Sequence, residues 1–279
     1  MSFVQYLESA GVILLAIAGA VAGLRTSRLR PPWWLAGFVV PVAFFAAMAL
    51  GRWVPRIAAP APLCWIHYGR TELVAAAFMV PYAFATLAPK LPRRRERIFL
   101  AAAAAMVVCS FCVLPFLLPA LLHGRFAAMA TVIDRDGVCM QHTSYTCGPA
   151  AAVTALRCMG LSAAEGEIAI LAGTNPIDGT DPDVLAAALR ARYGGAGLAC
   201  EFRFFESLDE LRRAGLTIAL VKLGFLIDHY VVVLEVGDRF VVVGDPLAGR
   251  RRLAHADFMA RWRRTGIVLA RAGAGRPGA

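Results

Sequence analysis

The sequence is poor in charged residues, and its first half is especially poor in acidic ones. Of its 279 residues, 17% are charged, against about 25% in an average globular protein, while 59% are hydrophobic. This composition excludes an intrinsically disordered chain and is unusual for a wholly soluble protein. The long stretches without charge are typical of membrane helices.

Several common functional motifs are also absent from the sequence. It has no glycine-rich phosphate-binding loop, no EF-hand loop and no internal repeat. The Cys and His residues of its second half are scattered, whereas the ligands of a structural zinc site would be grouped. We therefore expect neither a cofactor nor a metal ion.

The charged residues divide the chain into two parts. Residues 1–125 contain 12 Lys or Arg against 3 Asp or Glu, a net charge of +9, whereas residues 126–279 contain 17 against 16. The basic residues lie beside apolar stretches, so we expect a lipid bilayer as partner and no nucleic acid. We predict a four-helix transmembrane domain over 1–125, a second domain over 126–272 and a flexible tail over 273–279.

Four stretches of the first domain contain no charged residue: 9–24, 31–51, 73–89 and 98–124. About 20 helical residues are needed to cross the hydrocarbon core of a bilayer. The second and fourth stretches are long enough, whereas the first and third, of 16 and 17 residues, would need a thinner bilayer or neighbouring helices. Their many Gly and Ala residues favour close packing between helices.

The loops between these stretches predict the orientation of the chain. The loops after the first and third stretches share one side and contain eight Lys or Arg, while the loop over 52–70 on the other side contains three. Because basic loops stay in the cytoplasm, we expect both termini and the second domain to be extracytoplasmic, at a bacterial-type inner or plasma membrane. No Lys or Arg precedes the first apolar run, so we expect a retained helix and not a cleaved signal peptide.

The second domain changes from helical to extended patterns along its length. Helices are predicted over 149–159, 162–173, 181–193 and 207–215, of which the second and fourth open with a capping box. Strands rich in β-branched residues are predicted over 217–223, 229–236 and 240–243, followed by a helix over 256–263 and a strand over 266–270. Helices followed by antiparallel strands predict an α+β domain.

Cys147 lies in the segment most typical of a reactive site. An irregular loop over 141–146, of sequence QHTSYT, becomes a helix at this residue. A helix N-terminus stabilises a thiolate through its dipole and its unpaired N–H groups. We expect Gly148 to let a substrate backbone approach closely and Pro149 to fix the first helical turn.

His229 is the strongest candidate for the base that a nucleophilic cysteine requires. It opens an apolar strand, and Asp245 follows the next strand along the chain. A hairpin of two adjacent strands places the start of one beside the end of the other, so we expect His229 and Asp245 to meet. Asp228 is the weaker partner, because neighbouring residues of a strand point to opposite faces.

These residues resemble the bacteriocin-processing double-glycine peptidases, which are cysteine peptidases of papain-like fold. The resemblance lies in Gln141 six residues before a Cys-Gly-Pro-Ala block, a His-Tyr-Val-Val strand at His229, and an Asp-Pro turn at Asp245 sixteen residues later. The closing Phe258-x3-Trp262 followed by a last strand is also similar. The similar region covers roughly residues 131–270 and excludes the membrane part.

The resemblance implies a role for each of four residues. Cys147 is the nucleophile, His229 the general base and acid, Asp245 its orienting partner, and Gln141 a side-chain donor to the oxyanion. The backbone N–H of Cys147 is expected to be the second donor. Four further residues are expected to line the substrate cleft: Gly148, His142, Gly179 and Thr180.

The sequence thus predicts a membrane-anchored cysteine peptidase whose substrate is a membrane-tethered or exported peptide or protein. One alternative keeps the same residues but transfers the acyl group to an amine, as an acyl transferase or transpeptidase does. Another is a catalytically silent, peptide-binding membrane protein. The sequence leaves open the cleavage motif, the oligomeric state, the role of the membrane helices beyond anchoring and any disulfide made by Cys139.

Overall fold

The structure, a computed structural model, describes residues 2–54, 70–224 and 227–271. The contacts within the chain divide it into two compact units, Met1–Leu121 and Leu122–Ala279. Most of the loop over 52–70 and the tail over 273–279 lie outside the described residues.

The N-terminal unit is built from apolar helices. In chain order they are α1 (Ser2–Thr26), α2 (Ala36–Trp53), α3 (Thr71–Leu87), α4 (Arg94–Val108) and α5 (Leu114–Leu121), with the π-helical turn Cys109–Val113 joining the last two. Four helical segments are long and apolar enough to cross a membrane: Tyr6–Thr26, Trp33–Gly51, Thr71–Lys90 and Arg94–Leu121. Their number and order agree with the four charge-free stretches.

The expectation that the first and third spans are short is wrong. The helical segments contain 21 and 20 residues, because each helix continues past the charged residues that bound its charge-free stretch. Both are therefore long enough to cross a bilayer without thinning it.

Helices α1 and α3 pack closely through two glycines. A Cβ atom at Gly19 would overlap the carbonyl of Phe78, and one at Gly23 would overlap the carbonyl of Tyr82. The hydroxyl of Thr86 donates to the carbonyl of Gly23 at 3.3 Å across this interface. This Gly-x3-Gly arrangement confirms the predicted close packing, since only small residues let two helix backbones approach so far.

The C-terminal unit contains six helices among its described residues. They are α6 (His123–Ala127), α7 (Cys147–Cys158), α8 (Glu165–Leu171), α9 (Pro182–Tyr193), α10 (Leu208–Ala214) and α11 (His255–Arg261). The hydroxyl of Ser207 accepts the N–H of Glu210 at 3.2 Å, so the predicted cap of α10 is confirmed.

Two antiparallel sheets complete the unit. The small one pairs β1 (Val132–Ile133) with β2 (Cys139–Met140). The large one has the order β3-β8-β4-β5-β6-β7, formed by β3 (Leu198–Phe204), β4 (Thr217–Gly224), β5 (Ile227–Val236), β6 (Phe240–Asp245), β7 (Gly249–Ala254) and β8 (Trp262–Arg271). The predicted helical half followed by an antiparallel sheet is confirmed.

Two hydrophobic cores hold this unit together. The larger contains Leu156 of α7, Leu189 of α9 and Val232 of β5. The smaller contains Leu211 of α10 and Phe258 of α11 together with other residues of β5. Strand β5 thus contributes alternate residues to both cores and is a central, rigid element.

Several elements differ from the sequence prediction, among them helix α6 and the short strands β1 and β2, which were not predicted. Strands β3 and β7 were not expected, and β7 carries three consecutive arginines, 250–252, which suit the charged edge of a sheet better than its centre. Helix α8 begins at Glu165 and not at Ser162. The capping box is not formed, because the Glu165 side chain accepts the backbone N–H of His142.

Candidate active site

Cys147 is the first residue of α7, as predicted. The next nine residues of this helix, Gly148 to Leu156, are all buried, so the helix is held on every side while the thiol of Cys147 is only half-buried. The structure therefore fixes the thiol at the start of an immobile helix, with free N–H groups nearby.

His229 lies between an acid and this thiol. Its Nε2 is 2.8 Å from Oδ1 of Asp245, and the imidazole also interacts with Cys147, which raises the pKa of the ring. Because Nε2 faces the carboxylate, Nδ1 is the ring nitrogen available to the sulfur. The side chains of His229 and Asp245 are only 3% and 15% exposed, so water competes little with either contact. Asp228, the weaker candidate, pairs with Arg263 at 2.7 Å.

The environment of His229 raises its pKa to about 9. Burial by itself would lower this pKa, but the hydrogen bonds to Asp245 and Cys147 and the charges of both partners outweigh it. Burial of Asp245 opposes ionisation, yet hydrogen bonds from His229 and from the N–H of Leu247 lower the pKa of its carboxyl, as do the charges of His229 and Arg251. The two groups form an imidazolium–carboxylate pair at neutral pH.

Gln141 is held at the other end of the loop that leads to Cys147. Its backbone N–H donates to Pro246 at 3.0 Å, and its Nε2 donates to the carbonyl of Thr143 at 2.7 Å. A carbonyl only accepts, so this contact fixes which way the amide points. The second N–H of Nε2 has no acceptor among the described residues, and Oε1 is buried without a partner.

The predicted cleft residues have different environments. His142 is exposed, and Gly179 is partly exposed with φ +77°, a conformation that glycine adopts without strain. Thr180 is only 6% exposed, and its hydroxyl lies 2.8 Å from that of Thr174. The structure thus brings Thr180 beside the start of α7 but within the protein interior.

The structure shows a packing reason for glycine at position 148, beside the predicted contact with a substrate. A Cβ atom on this residue would lie 3.1 Å from Cβ of Thr180 and 3.3 Å from Cε2 of Tyr230. The space above its Cα is therefore filled by the protein's own side chains. Glycine at this position allows α7 to pack tightly against its neighbours.

Among the described residues, we find neither a metal-binding group nor a disulfide at Cys139. Cys139 is a buried free thiol, and burial, with the charge of Glu165, raises its pKa to about 12. Within 2–54, 70–224 and 227–271, no group of three or more His, Cys, Asp and Glu side chains could hold a metal ion.

Comparison with known proteins identifies the family. A family model described as the peptidase C39 family matches residues 135–273. An uncharacterised protein of Methanothermobacter marburgensis is 35% identical over 130 residues, 47% of this chain and 85% of that protein. One of Methanothermobacter thermautotrophicus is 35% identical over 122 residues, 44% of this chain and 80% of that protein. The chain belongs to the peptidase C39 family.

Solved structures of similar domains are also found. The peptidase domain of Streptococcus ComA, a bi-functional ABC transporter of a quorum sensing pathway, is 20% identical with a TM-score of 0.43. A double glycine motif protease from an AMS/PCAT transporter, solved with its leader peptide, is 17% identical with a TM-score of 0.42. Each comparison covers 52% of this chain and all of the other.

Membership of this family indicates a cysteine peptidase, and the predicted fold class is confirmed: four apolar helices followed by a C39 domain of papain-like type. The four apolar helices indicate a membrane protein.

Two residues near the C39 site were missed by sequence reasoning. The hydroxyl of Tyr230 donates to the carbonyl of Thr180 at 2.6 Å and ties that loop to β5. Glu165 is completely buried beside the loop that precedes Cys147. No local signal marks these contacts, because the hydrogen bond of Glu165 to His142 spans 23 positions and that of Tyr230 to Thr180 spans 50.

Proposed function

We propose that this C39 domain is the catalytic domain of a membrane-anchored cysteine peptidase that cleaves a membrane-associated or exported peptide or protein. The observation that supports it most is the position of His229, whose Nε2 is 2.8 Å from Asp245 and whose imidazole interacts with Cys147 at the start of α7. A nucleophile, a base and an orienting carboxylate in this order form the arrangement used for acyl transfer.

The reaction begins at the sulfur of Cys147. With His229 protonated and Cys147 ionised, the thiolate attacks the scissile carbonyl carbon and forms a tetrahedral oxyanion. The C–N bond then breaks, and the imidazolium of His229 gives its proton to the leaving amine. Water, deprotonated by the neutral His229, attacks the thioester and releases the acid product, which restores the thiolate–imidazolium pair.

Asp245 acts on this cycle through His229 alone. Its carboxylate only accepts, so it holds Nε2–H and keeps Nδ1 toward the sulfur in both protonation states of the ring. The same carboxylate is held by the N–H of Leu247 at 2.9 Å, which limits its rotation.

The oxyanion needs donors that are already in place. Gln141 can supply the N–H of Nε2 that its contact with Thr143 leaves unused, and the backbone N–H of Cys147 is the second donor. Removing one donor of this kind costs roughly 10²–10³ in kcat in enzymes that form tetrahedral intermediates.

The four apolar helices would anchor the peptidase, and the basic loops would place its domain outside the cytoplasm. A tethered enzyme meets substrates in or beside the same bilayer at a high effective concentration. This favours membrane-tethered or freshly exported substrates.

The experiment compares cells that contain the wild-type protein with cells that contain Cys147→Ala. Membrane and exported fractions are analysed by N-terminal proteomics, and we expect uncleaved precursors to accumulate only with Cys147→Ala. Cys158→Ala is the matched control, because Cys158 is an exposed free thiol at the far end of the same helix. Identical peptide profiles for wild type and Cys147→Ala would refute the proposal.

Analysis of the products decides between hydrolysis and acyl transfer. A peptidase yields a free carboxylate at the new C-terminus, whereas a transpeptidase yields a peptide joined to an amine. If every product is a peptide joined to an amine, the peptidase proposal is wrong and the acyl-transfer alternative holds.

A further inference from the structure

Glu165 is a fully buried carboxyl group in the C39 domain, and the proposed reaction makes no use of it. Its side chain is 0% exposed at the first residue of α8. Desolvation raises the pKa of this carboxyl, while hydrogen bonds from the N–H of His142 and the hydroxyl of Thr146 act in the opposite direction. Burial of such a group is costly unless it makes specific contacts.

Glu165 contacts the loop over 141–146 and the neighbouring residue Thr131. Oε1 accepts the backbone N–H of His142 at 2.8 Å, and Thr146 interacts with the carboxyl and helps to lower its pKa. The backbone N–H of Glu165 itself donates to the hydroxyl of Thr131 at 2.9 Å. Oε2 is buried without a hydrogen-bond partner, so stability alone does not account for a carboxyl at this position.

The two residues that interact with Glu165 lie at the two ends of the loop over 141–146. His142 directly follows Gln141, and Thr146 directly precedes Cys147. Within the loop, the N–H of Thr143 donates to the hydroxyl of Thr146 at 3.1 Å, and the carbonyl of Thr143 holds the Gln141 amide. One carboxyl group therefore holds the loop that carries Gln141 and leads to the backbone N–H of Cys147.

We propose that Glu165 is a positioning residue that holds the loop over 141–146 so that Gln141 and the N–H of Cys147 point at the same oxyanion. This inference rests on the proposed function. Its effect is on the donors and not on the thiolate, because the contacts of Glu165 lead to the loop and those of His229 lead to the sulfur. A shift of about 1 Å in such donors costs on the order of 10²-fold in rate.

Two reactions of the full-length protein in detergent separate these effects. Iodoacetamide alkylates the thiolate of Cys147 directly, and this reaction needs no oxyanion donor. With p-nitrophenyl acetate, the sulfur attacks the acetyl carbon, the C–O bond breaks, and p-nitrophenolate leaves as the thioester forms. The second reaction passes through an oxyanion, so the ratio of acylation rate to alkylation rate reports the donors. Rates measured with Cys147→Ala are subtracted as the contribution of other thiols.

Three variants of Glu165 test the proposal, with one control. We expect Glu165→Ala and Glu165→Asp to lower the ratio about tenfold or more, because neither presents an acceptor to both ends of the loop. Glu165→Gln keeps an acceptor oxygen at the same distance and is expected to stay within threefold of wild type. Glu167→Ala is the control, because Glu167 is an exposed acid in the same turn, paired with Arg192.

The outcomes are distinct. A wild-type ratio in Glu165→Asp, or an equal loss of alkylation and acylation in Glu165→Ala and Glu165→Asp, would overturn the positioning role. Should Glu165→Ala fail to fold, Glu165→Asp decides, because it keeps the polar group and fills most of the space. If Cys147 of the wild-type protein reacts with neither probe faster than an ordinary thiol, the proposed function fails and not the role of Glu165.

Discussion

At the scale of single residues, the chemistry depends on the surroundings of His229 more than on its identity. The same imidazole in an unfolded chain would have a pKa of about 6.5. In the fold it is buried, which disfavours its charge, yet Asp245 and Cys147 raise its pKa to about 9. The protonated ring is therefore present at neutral pH, where a leaving amine needs a proton donor.

The raised pKa of His229 predicts how stability depends on pH. Because the folded state holds this proton more tightly, the contribution is complete below pH 6.5 and is lost as the pH rises through about 9. We expect the difference in free energy of unfolding between wild type and His229→Gln to shrink between pH 6 and pH 10. Pulse proteolysis of the full-length protein in urea measures the free energy of unfolding of both proteins at each pH. A difference that stays constant over this range would contradict the assignment.

The partner of His229 provides a second prediction. Asp245→Asn removes the carboxylate while keeping its shape, so the imidazolium loses its stabilising charge and the ring its fixed orientation. We expect acylation of Cys147 by p-nitrophenyl acetate to slow by roughly 10²-fold. Asp228→Asn serves as control, since Asp228 pairs with Arg263 and should change the rate less than about twofold. Equal effects of the two variants would argue against an orienting role for Asp245.

At the scale of elements, the packing of α7 against β5 and the 174–180 loop holds Cys147 in place. Tyr230 of β5 donates to the carbonyl of Thr180, and the hydroxyl of Thr180 pairs with that of Thr174. These bonds fix Thr180 and Tyr230, the two side chains that lie against Gly148 at the first turn of α7. These two side chains therefore cannot move away easily to make room for a larger residue at position 148.

The variant Gly148→Ala tests how firmly Thr180 and Tyr230 are held. The added methyl would lie 3.1 Å from Thr180 and 3.3 Å from Tyr230, and such overpacking costs about 1–3 kcal/mol. This exceeds the at most about 1 kcal/mol that Ala gains over Gly within a helix. We expect a lower melting temperature and slower acylation of Cys147. Gly194→Ala, where a methyl meets no atom within 4 Å and the backbone is already helical, should not lower the melting temperature and should leave the acylation rate unchanged. If Gly148→Ala has the melting temperature and the acylation rate of the wild type, Thr180 and Tyr230 can move to make room for the methyl group.

At the scale of the whole molecule, the uneven distribution of charge predicts the membrane topology. The net charge of +9 lies in residues 1–125, mostly in two loops beside apolar helices, whereas residues 126–279 are nearly neutral. Basic loops resist transfer across the membrane, so this distribution predicts which side of the membrane the C39 domain faces.

A reporter that is active only in the cytoplasm tests this topology. Fused after Ala279, it is expected to be inactive, because an even number of spans returns the chain to the side of its N-terminus. Fused after Leu29, in the first basic loop, the same reporter is expected to be active. Activity of the fusion at Ala279 would invert the assignment and place the peptidase in the cytoplasm.

The sequence by itself determined the features that depend on local chemistry. Apolar stretches without charge predict helices in any context, and a loop that meets Pro149 at a helix start predicts where Cys147 lies. The β-branched strands that open at His229 and end near Asp245 predict a hairpin, and a hairpin brings these residues together.

Only the tertiary structure decided the features that depend on distant partners. Glu165 has the pattern of a surface helix cap, yet it is buried against residues 19 and 23 positions earlier. Strand β7 has the composition of a solvated loop but pairs with β6 along its whole length. Gly148 is small because Thr180 and Tyr230 occupy the space beside it. The physical reason is the same in each case: burial and packing arise between segments that the sequence separates, and no local pattern encodes them.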